Sequence, residues 1–459
     1  MKAFVSYKTT RHPYLDCIPE QWSDTHFGRV TTSKSIQNNE NEELLSVFLR
    51  RGVVRYTDTS QKQVHKPSED MSKYQLVEPR DIVLNNQQAW RGSVGVSKFR
   101  GVVSPAYLVF FLSEDVNADY MNYTIRDNAT ITQFVVASKG VGSIQRNLNP
   151  LALKYVVIPL PLRKDQDQMV RFLDWKVSEV NRFIRQKRHE IVLLTELINT
   201  RIKEAVFRGL NPSAATQDSG INWVGDIPAH WVIKVLFEIA AEQSNPNKTV
   251  NNQNLLSLSY GKIVNKDINT TEGLLPATYE TYQVVDDGNI ILRLTDLQND
   301  KRSLRVGLVT QMGIITSAYT CLKDRGNDIL PHYLYLLLHS YDICKVFYSM
   351  GGGVRQSIGY GEIKRIPLPI PPTDEQMAII DYCYTLRVNI DKMIADLKNE
   401  IAFITEYRTR MISDVVTGKV DVRDIEVPDF AIKGTVESTG DEEETDEISD
   451  EEVKENADD

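Results

Sequence analysis

The chain has no run of about 18 consecutive apolar residues, so no membrane-spanning helix is expected. Its first residues lack the basic-then-apolar pattern of a secretory leader, so a cytoplasmic location is expected. Cysteine is scarce: Cys17, Cys321, Cys344 and Cys383 are scattered, with no CxxC pair and no Cys/His cluster at metal-ligand spacing. Free thiols in a reducing compartment and no bound metal are the expectation. The parts of an enzyme are missing too. There is no GxxxxGK loop ending in Ser or Thr to cradle a phosphate. The Pro-Pro-aromatic tetrapeptide of an amino-methyltransferase is absent, since Pro371-Pro372 is followed by Thr373. Glu362-Ile363-Lys364 matches the tail of a metal-dependent nuclease motif but has no upstream Asp partner, and it is read as non-catalytic. No catalytic residue and no cofactor bound by this chain are expected.

What is present is globular in bulk. Of the 459 residues, 41% are apolar and 25% charged, enough for two to four domains with cores of their own. The net charge of −9 conceals a division. Glu437 to Asp459 holds 13 acidic residues and one Lys; removing that −12 segment leaves +3 for residues 1–436. The segment has no aromatics and few large apolar residues, so residues 437–459 are expected to form a disordered acidic tail. A body charge of +3 supports DNA binding only weakly, because patches matter more than totals.

One unit of roughly 200 residues occurs twice. Tyr14–Trp22 reads YLDCIPEQW and Trp223–Trp231 reads WVGDIPAHW. Ile158–Pro161 and Ile366–Pro369 both read IPLP, followed by Gln168 and Gln376. Thr200-Arg201 and Gly209 have counterparts in Thr409-Arg410 and Gly418. The order in each copy is a variable block, a Pro-rich joint and a long charged helix.

The variable blocks share a skeleton as well. Tyr74–Asn85 (YQLVEPRDIVLN) matches Tyr282–Arg293 (YQVVDDGNIILR), each a polar turn feeding a short β-favouring run. Gly95, Gly101, Ser104 and Tyr107 match Gly307, Gly313, Thr316 and Tyr319 at a constant offset of 212. Glycines in such strands mark bulges or a close backbone approach. A helical stretch follows at Asp119–Ser138 and, more clearly, at His332–Met350. Each block therefore reads as an α/β (α+β) domain with a twisted, mainly antiparallel or mixed sheet. The exposed cations differ: the first block carries Trp90-Arg91, Lys98 and Arg100 where the second carries Lys262, Lys266, Lys301-Arg302 and Arg305. One scaffold with two sets of polar residues fits two recognition surfaces.

Asp165–Arg208 and Asp374–Thr417 carry apolar residues in heptads. Val177, Ile184, Ile191 and Ile198 form a row in the first, and Ile390, Leu397, Ile404 and Met411 one in the second. Such rows make a coiled-coil seam. Each helix would be about 65 Å long at about 1.5 Å per residue, and alone would leave its stripe in water. The economical solution is that the two pack together, antiparallel, with a domain at each end. Lys187, Arg201, Arg387 and Arg408 interrupt the seam, where polar residues fix register. Gly209 and Gly418 stand where helix C-caps belong.

The ordered set of IPxxW motifs, IPLP…Q joints and the helix ends RIKEAVFRG and RMISDVVTG resembles the specificity subunit of type I restriction–modification enzymes. The likeness covers nearly the whole chain except the acidic tail; the first joint departs from the family pattern, with LRKDQDQ in place of a proline-rich acidic run. The resemblance implies target-recognition domains at 13–164 and 222–372, and long helices at 165–210 and 373–420 that space them and dock partner subunits. Each domain would read one half of a bipartite double-stranded DNA site. Two modification (methyltransferase) subunits would bring S-adenosylmethionine, and restriction (translocase/nuclease) subunits ATP and Mg. Candidate DNA contacts are Arg91, Lys98, Arg100, Lys139 and Arg146 in the first domain, and Lys262, Arg293, Lys301, Arg302, Arg305 and Arg355 in the second. Arg146 and Arg355 rank first because both follow a glycine-containing turn just before the joint. The rival reading is a coiled-coil protein adaptor, or an inactive relative, without sequence-specific DNA binding.

Overall fold

A computed structural model describes residues 2–430 except 13, 40, 50, 59–67, 69, 142–144, 249–253, 269–277, 296, 298–303, 327 and 351–356. The acidic tail and the candidates Lys301, Arg302 and Arg355 lie outside the described residues. The described chain falls into two compact units, one from residues 2–187 and 399–430, the other from 188–398.

In the first unit an antiparallel sheet runs in the order Thr31–Lys34, Tyr107–Leu112, Ile82–Asn85, Val94–Val96. The run Ile82-Val83-Leu84 is wholly buried, and its pleat divides it between two cores, because successive side chains point to opposite faces. Ile82 and Leu84 join Phe27, Ile125 and Phe134 on the side of the helices Ala118–Ile125 and Asn128–Val136. Val83 joins Leu45, Val47 and Val103 on the side of a second β layer. Burial on both faces explains why the strand is a continuous apolar run and not an alternating one. That second layer consists of the pairs Leu45–Phe48 with Gly52–Arg55 and Gln75–Val77 with Gly101–Val103.

The second unit repeats the plan. Its first sheet runs Ala240–Gln243, Thr320–Asp324, Ile290–Leu292, Val306–Leu308. Ile290 and Leu292 face one core and Ile291 another. Its second layer is a full sheet in the order Lys262–Lys266, Leu255–Ser259, Gly313–Ile315, Gln283–Val285, with one parallel contact, Leu255 to Ile314. In the first unit a parallel bridge, Leu44 to Val102, lies at the equivalent place. The matched glycines sit at close approaches between strands: a Cβ on Gly101 would lie 2.8 Å from Leu45 Cγ, and one on Gly313 2.7 Å from the Asn254 carbonyl. The α/β (α+β) expectation with mainly antiparallel or mixed sheets is met. The expected helical stretches are found as the broken pair Ala118–Ile125 and Asn128–Val136, and as Pro331–Ile343.

Each IPLP joint is a strand. Val157–Leu160 pairs with Ser23–His26, and Pro367–Ile370 with Val232–Val235, as two-stranded sheets. Proline is tolerated there because such a strand has an unpaired edge. The long helices span Arg163–Arg208 and Thr373–Val416. Within the first unit Asn181 accepts from Arg408 and Lys187 pairs with Glu400 at 3.0 Å; numbers rise along one helix as they fall along the other, so the pair is antiparallel. That register sets Ile184 level with Ile404 and Val177 with Met411. In the second unit Ile198 and Ile390 share one core. Ile184, Ile198, Ile390, Leu397 and Met411 are buried, and Val177, Ile191 and Ile404 partly so. Arg201 points outward and pairs with Glu204 on its own helix.

The joint glutamines need one correction. Gln376, wholly buried, donates to the Asp328 and Pro371 carbonyls and accepts from the Leu330 amide. Its structural counterpart is Gln166, which donates to the Pro161 carbonyl and accepts from the Asn117 amide. Gln168, which the motif pairs with Gln376, instead donates to the carbonyls of Val422 and Ile425. Two glutamines in LRKDQDQ allow either register by eye, and the buried amide decides.

Candidate nucleic-acid interface

Four of the five candidates of the first unit separate into two sets. Lys98 pairs with Asp119 at 3.1 Å, and Arg100 reaches Glu42 at 2.9 Å and Glu78 at 3.0 Å. These cations serve carboxylates of their own domain. Glu78 also binds Lys34, whose hydrogen bond is the main cause of its carboxyl sitting below the usual range. Lys34 itself is fully buried, 2.5 Å from Asp81. Burial raises the Asp81 pKa against the pull of that lysine.

Arg91 and Arg146 form the other set. Arg91 closes a 3-10 turn, Ala89–Arg91, that follows the buried strand Ile82–Asn85. Arg146 lies 55 residues further on, in a hairpin formed by Ser138–Val141 and Gln145–Leu148. The Leu148 amide donates to the Asn86 carbonyl, tying hairpin to turn. Both guanidinium carbons lie over the Trp90 ring, at 4.7 Å for Arg91 and 5.6 Å for Arg146. Lys139 is exposed on the same hairpin. It pairs with Asn147 while Arg146 pairs with Gly140, so by strand alternation it projects from the other face. Trp90 was not among the candidates; an aromatic next to an arginine in a polar turn was the available signal.

In the second unit Lys262 is exposed on the edge strand Lys262–Lys266. Arg293 is half-buried. Arg305 overturns its expectation as a surface contact, because it is 0% exposed. Its guanidinium donates to the Arg293 carbonyl at 3.1 Å and the Thr295 carbonyl at 2.6 Å, and its Nε to the Tyr348 hydroxyl at 2.9 Å. It holds the end of one strand to the segment after helix Pro331–Ile343. A charged side chain is kept inside because three oxygens accept from its guanidinium.

Glu362 accepts from the Gly359 amide at 2.8 Å, capping the short helix Tyr360–Ile363, and that bond lowers its pKa. Among the described residues no group of three or more His, Cys, Asp or Glu is arranged to hold a metal ion. None of their helices is long and apolar enough to cross a membrane. The four cysteines are free thiols, and burial pushes those of Cys321 and Cys383 up to about 12.

No family model matches the chain. A chain from a study of complex assembly and conformational transition in the type I restriction–modification system aligns at TM-score 0.62, with 14% identity, over 88% of this chain and 99% of that one. The specificity (HsdS) subunit of Thermoanaerobacter tengcongensis aligns at 0.46, with 13% identity, over 88% and 98%. The first of these likenesses makes the fold one found in type I restriction–modification systems. In sequence the chain is 24% identical over 372 residues, 77% of its length and 81% of the relative's, to a Methanocaldococcus jannaschii protein assigned as the specificity subunit of the type I restriction enzyme MjaX. The chain is a relative of the type I specificity subunits, as its paired motifs imply.

Proposed function

We propose that this chain gives a type I restriction–modification complex its DNA sequence specificity. The recognition domain of each unit reads one half of a bipartite site. The long helices set the gap between the halves and dock two methyltransferase subunits. The chain performs no chemistry itself: the methyltransferases bring S-adenosylmethionine, and restriction subunits bring ATP and Mg.

The observation that carries this reading is the repetition of one strand order, joint and helix in both units, on a chain whose relative is assigned the same role. Two domains on one face of B-DNA favour half-sites about one helical turn apart, roughly 34 Å centre to centre, and a paired helix is a rigid means of holding such a distance. Docking has a surface to use. Each helix carries an exposed apolar pair four residues apart, Leu193 and Leu197 on the first, Phe403 and Tyr407 on the second. Residues at that spacing are neighbours on one helix face.

Co-expression with its cognate methyltransferase, followed by mapping of adenine methylation across the host genome, tests the reading. A split motif with a fixed gap, lost when this chain is omitted, is the expected result. An active methyltransferase in a folded complex that yields no motif overturns it in favour of a protein adaptor or an inactive relative.

A further inference from the structure

Trp90 stands where the fold joins two distant pieces of chain. The neighbouring Ala89 is fully buried, and the indole Nε1 donates to the Gln87 carbonyl at 2.8 Å, so backbone and ring are both fixed. On this half-buried ring lie the guanidinium of its neighbour, Arg91, and that of Arg146 from the hairpin. A guanidinium stacked on an aromatic ring uses its flat face for the contact and keeps its N–H donors on its rim. One ring thus orders two planar, permanently charged forks. Their distances to the shared centroid put an upper bound of about 10 Å on their separation.

We propose that Trp90 is a positioning residue that holds Arg91 and Arg146 as a two-guanidinium clamp on the phosphodiester backbone of duplex DNA. The proposal rests on the reading of the chain as a specificity subunit and names what grips the half-site of the first unit. Phosphate is favoured over a base edge on chemical grounds. A guanine offers a single O6/N7 edge in the major groove, which one fork fills. Phosphates recur along one strand every ~3.4 Å of helix axis, so two coupled forks find two acceptors whatever the sequence. Such contacts set the register of the protein on the duplex while other residues read bases.

The test uses the full chain in complex with its methyltransferase and a duplex carrying its mapped site, titrated over a salt series. Trp90→Leu keeps an apolar side chain but removes the π face, and Trp90→Phe keeps a ring. Trp90→Leu is expected to weaken binding about 5- to 30-fold, the effect of two exposed cation–π contacts, while Trp90→Phe retains most of the affinity. The Arg91→Ala/Arg146→Ala double variant is expected to reduce the slope of log K against log salt by about 2. The methylated motif stays the same in every variant. Wild-type affinity in Trp90→Leu, an equal loss in Trp90→Phe, or relaxation at one base position of the motif each overturn the clamp. If Trp90→Leu does not fold, an unchanged slope in the arginine variant does so. A wild-type complex that binds every duplex alike overturns the specificity reading instead.

Discussion

Gly418 lies against Trp22. A Cβ at position 418 would sit 3.0 Å from Trp22 Cζ3 and closer still to Pro19. Gly209 stands in the same relation to Trp231, at 3.3 Å from Cζ2. In both copies the glycine ends a long helix with φ near +75°, at 71° and 78°, and the tryptophan ends an IPxxW motif. For Gly209 that motif follows a few turns later in the chain. For Gly418 it lies near the other terminus, where Lys2 also bridges to Asp421 and the Tyr7 hydroxyl donates to the Lys419 carbonyl. The first unit is thereby closed by residues from both ends of the sequence.

Gly418→Ala should therefore destabilise the first unit by about 2 kcal/mol or more, through left-handed strain together with overpacking. Gly220→Ala is the control. Its φ is +67° but a Cβ there meets nothing within 4 Å, so only the backbone cost of about 1 kcal/mol applies. Denaturant unfolding of the two variants separates the terms. Equal losses would mean that the contact with Trp22 and Pro19 contributes nothing.

Much of this closure was legible. Heptads marked the helices and the glycines fell at their caps, because left-handed φ favours them, but that the IPxxW tryptophans seat those glycines is visible only in the fold. The three-residue apolar runs gave the central strands. Burial of individual cations was not legible. Nothing local distinguishes Lys34, held by Asp81, or Arg305, held by the Arg293 and Thr295 carbonyls, from solvated Lys98. A charge is retained inside only where partners remote in sequence satisfy it, and that is a property of the fold. Gln166 is indistinguishable from Gln168 in the string for the same reason, its bonds to Pro161 and Asn117 being a property of the fold.

Arg305→Lys tests the correction at that site. Lysine cannot span two carbonyls and a phenol with a planar fork, so a loss of about 3 kcal/mol in stability is expected, as for a buried charge that loses part of its hydrogen bonding. Affinity per folded molecule and the methylated motif should stay as in wild type. A shift in the motif with unchanged stability would return Arg305 to the DNA surface.

His339 should make the second unit sensitive to acid. It is 2% exposed on helix Pro331–Ile343, and its Nδ1 finds no hydrogen-bond partner among the described residues. Burial first, then the charge of Arg387, lowers its pKa to about 4. The unfolded chain takes up the proton below about pH 6.5 and the folded chain does not until about pH 4. Stability contributed by the neutral ring is thus complete above pH 6.5 and is lost as pH falls towards 4. Between pH 7.5 and 5.0 the loss should be roughly 2 kcal/mol. The difference between wild type and His339→Leu in urea unfolding isolates it, and an identical pH dependence in both would remove His339 as the cause.

The exposed apolar pairs give the sharpest test of docking. Phe403 and Tyr407 are 72% and 51% exposed, Leu193 and Leu197 50% and 44%, so lysine at these positions displaces no core contact and suits a helix. Aromatic and aliphatic anchors at the centre of an interface commonly carry about 2 kcal/mol each, and a buried lysine adds a desolvation cost. Phe403→Lys/Tyr407→Lys should therefore release one methyltransferase of two, Leu193→Lys/Leu197→Lys the other, and the combined variant both. Mass measurement of the purified complexes reads the stoichiometry directly, and unchanged melting of the chain alone shows that the helices survive. Two methyltransferases still bound to the combined variant would mean that docking uses other faces of these helices, while leaving the proposed DNA recognition by the two domains untouched.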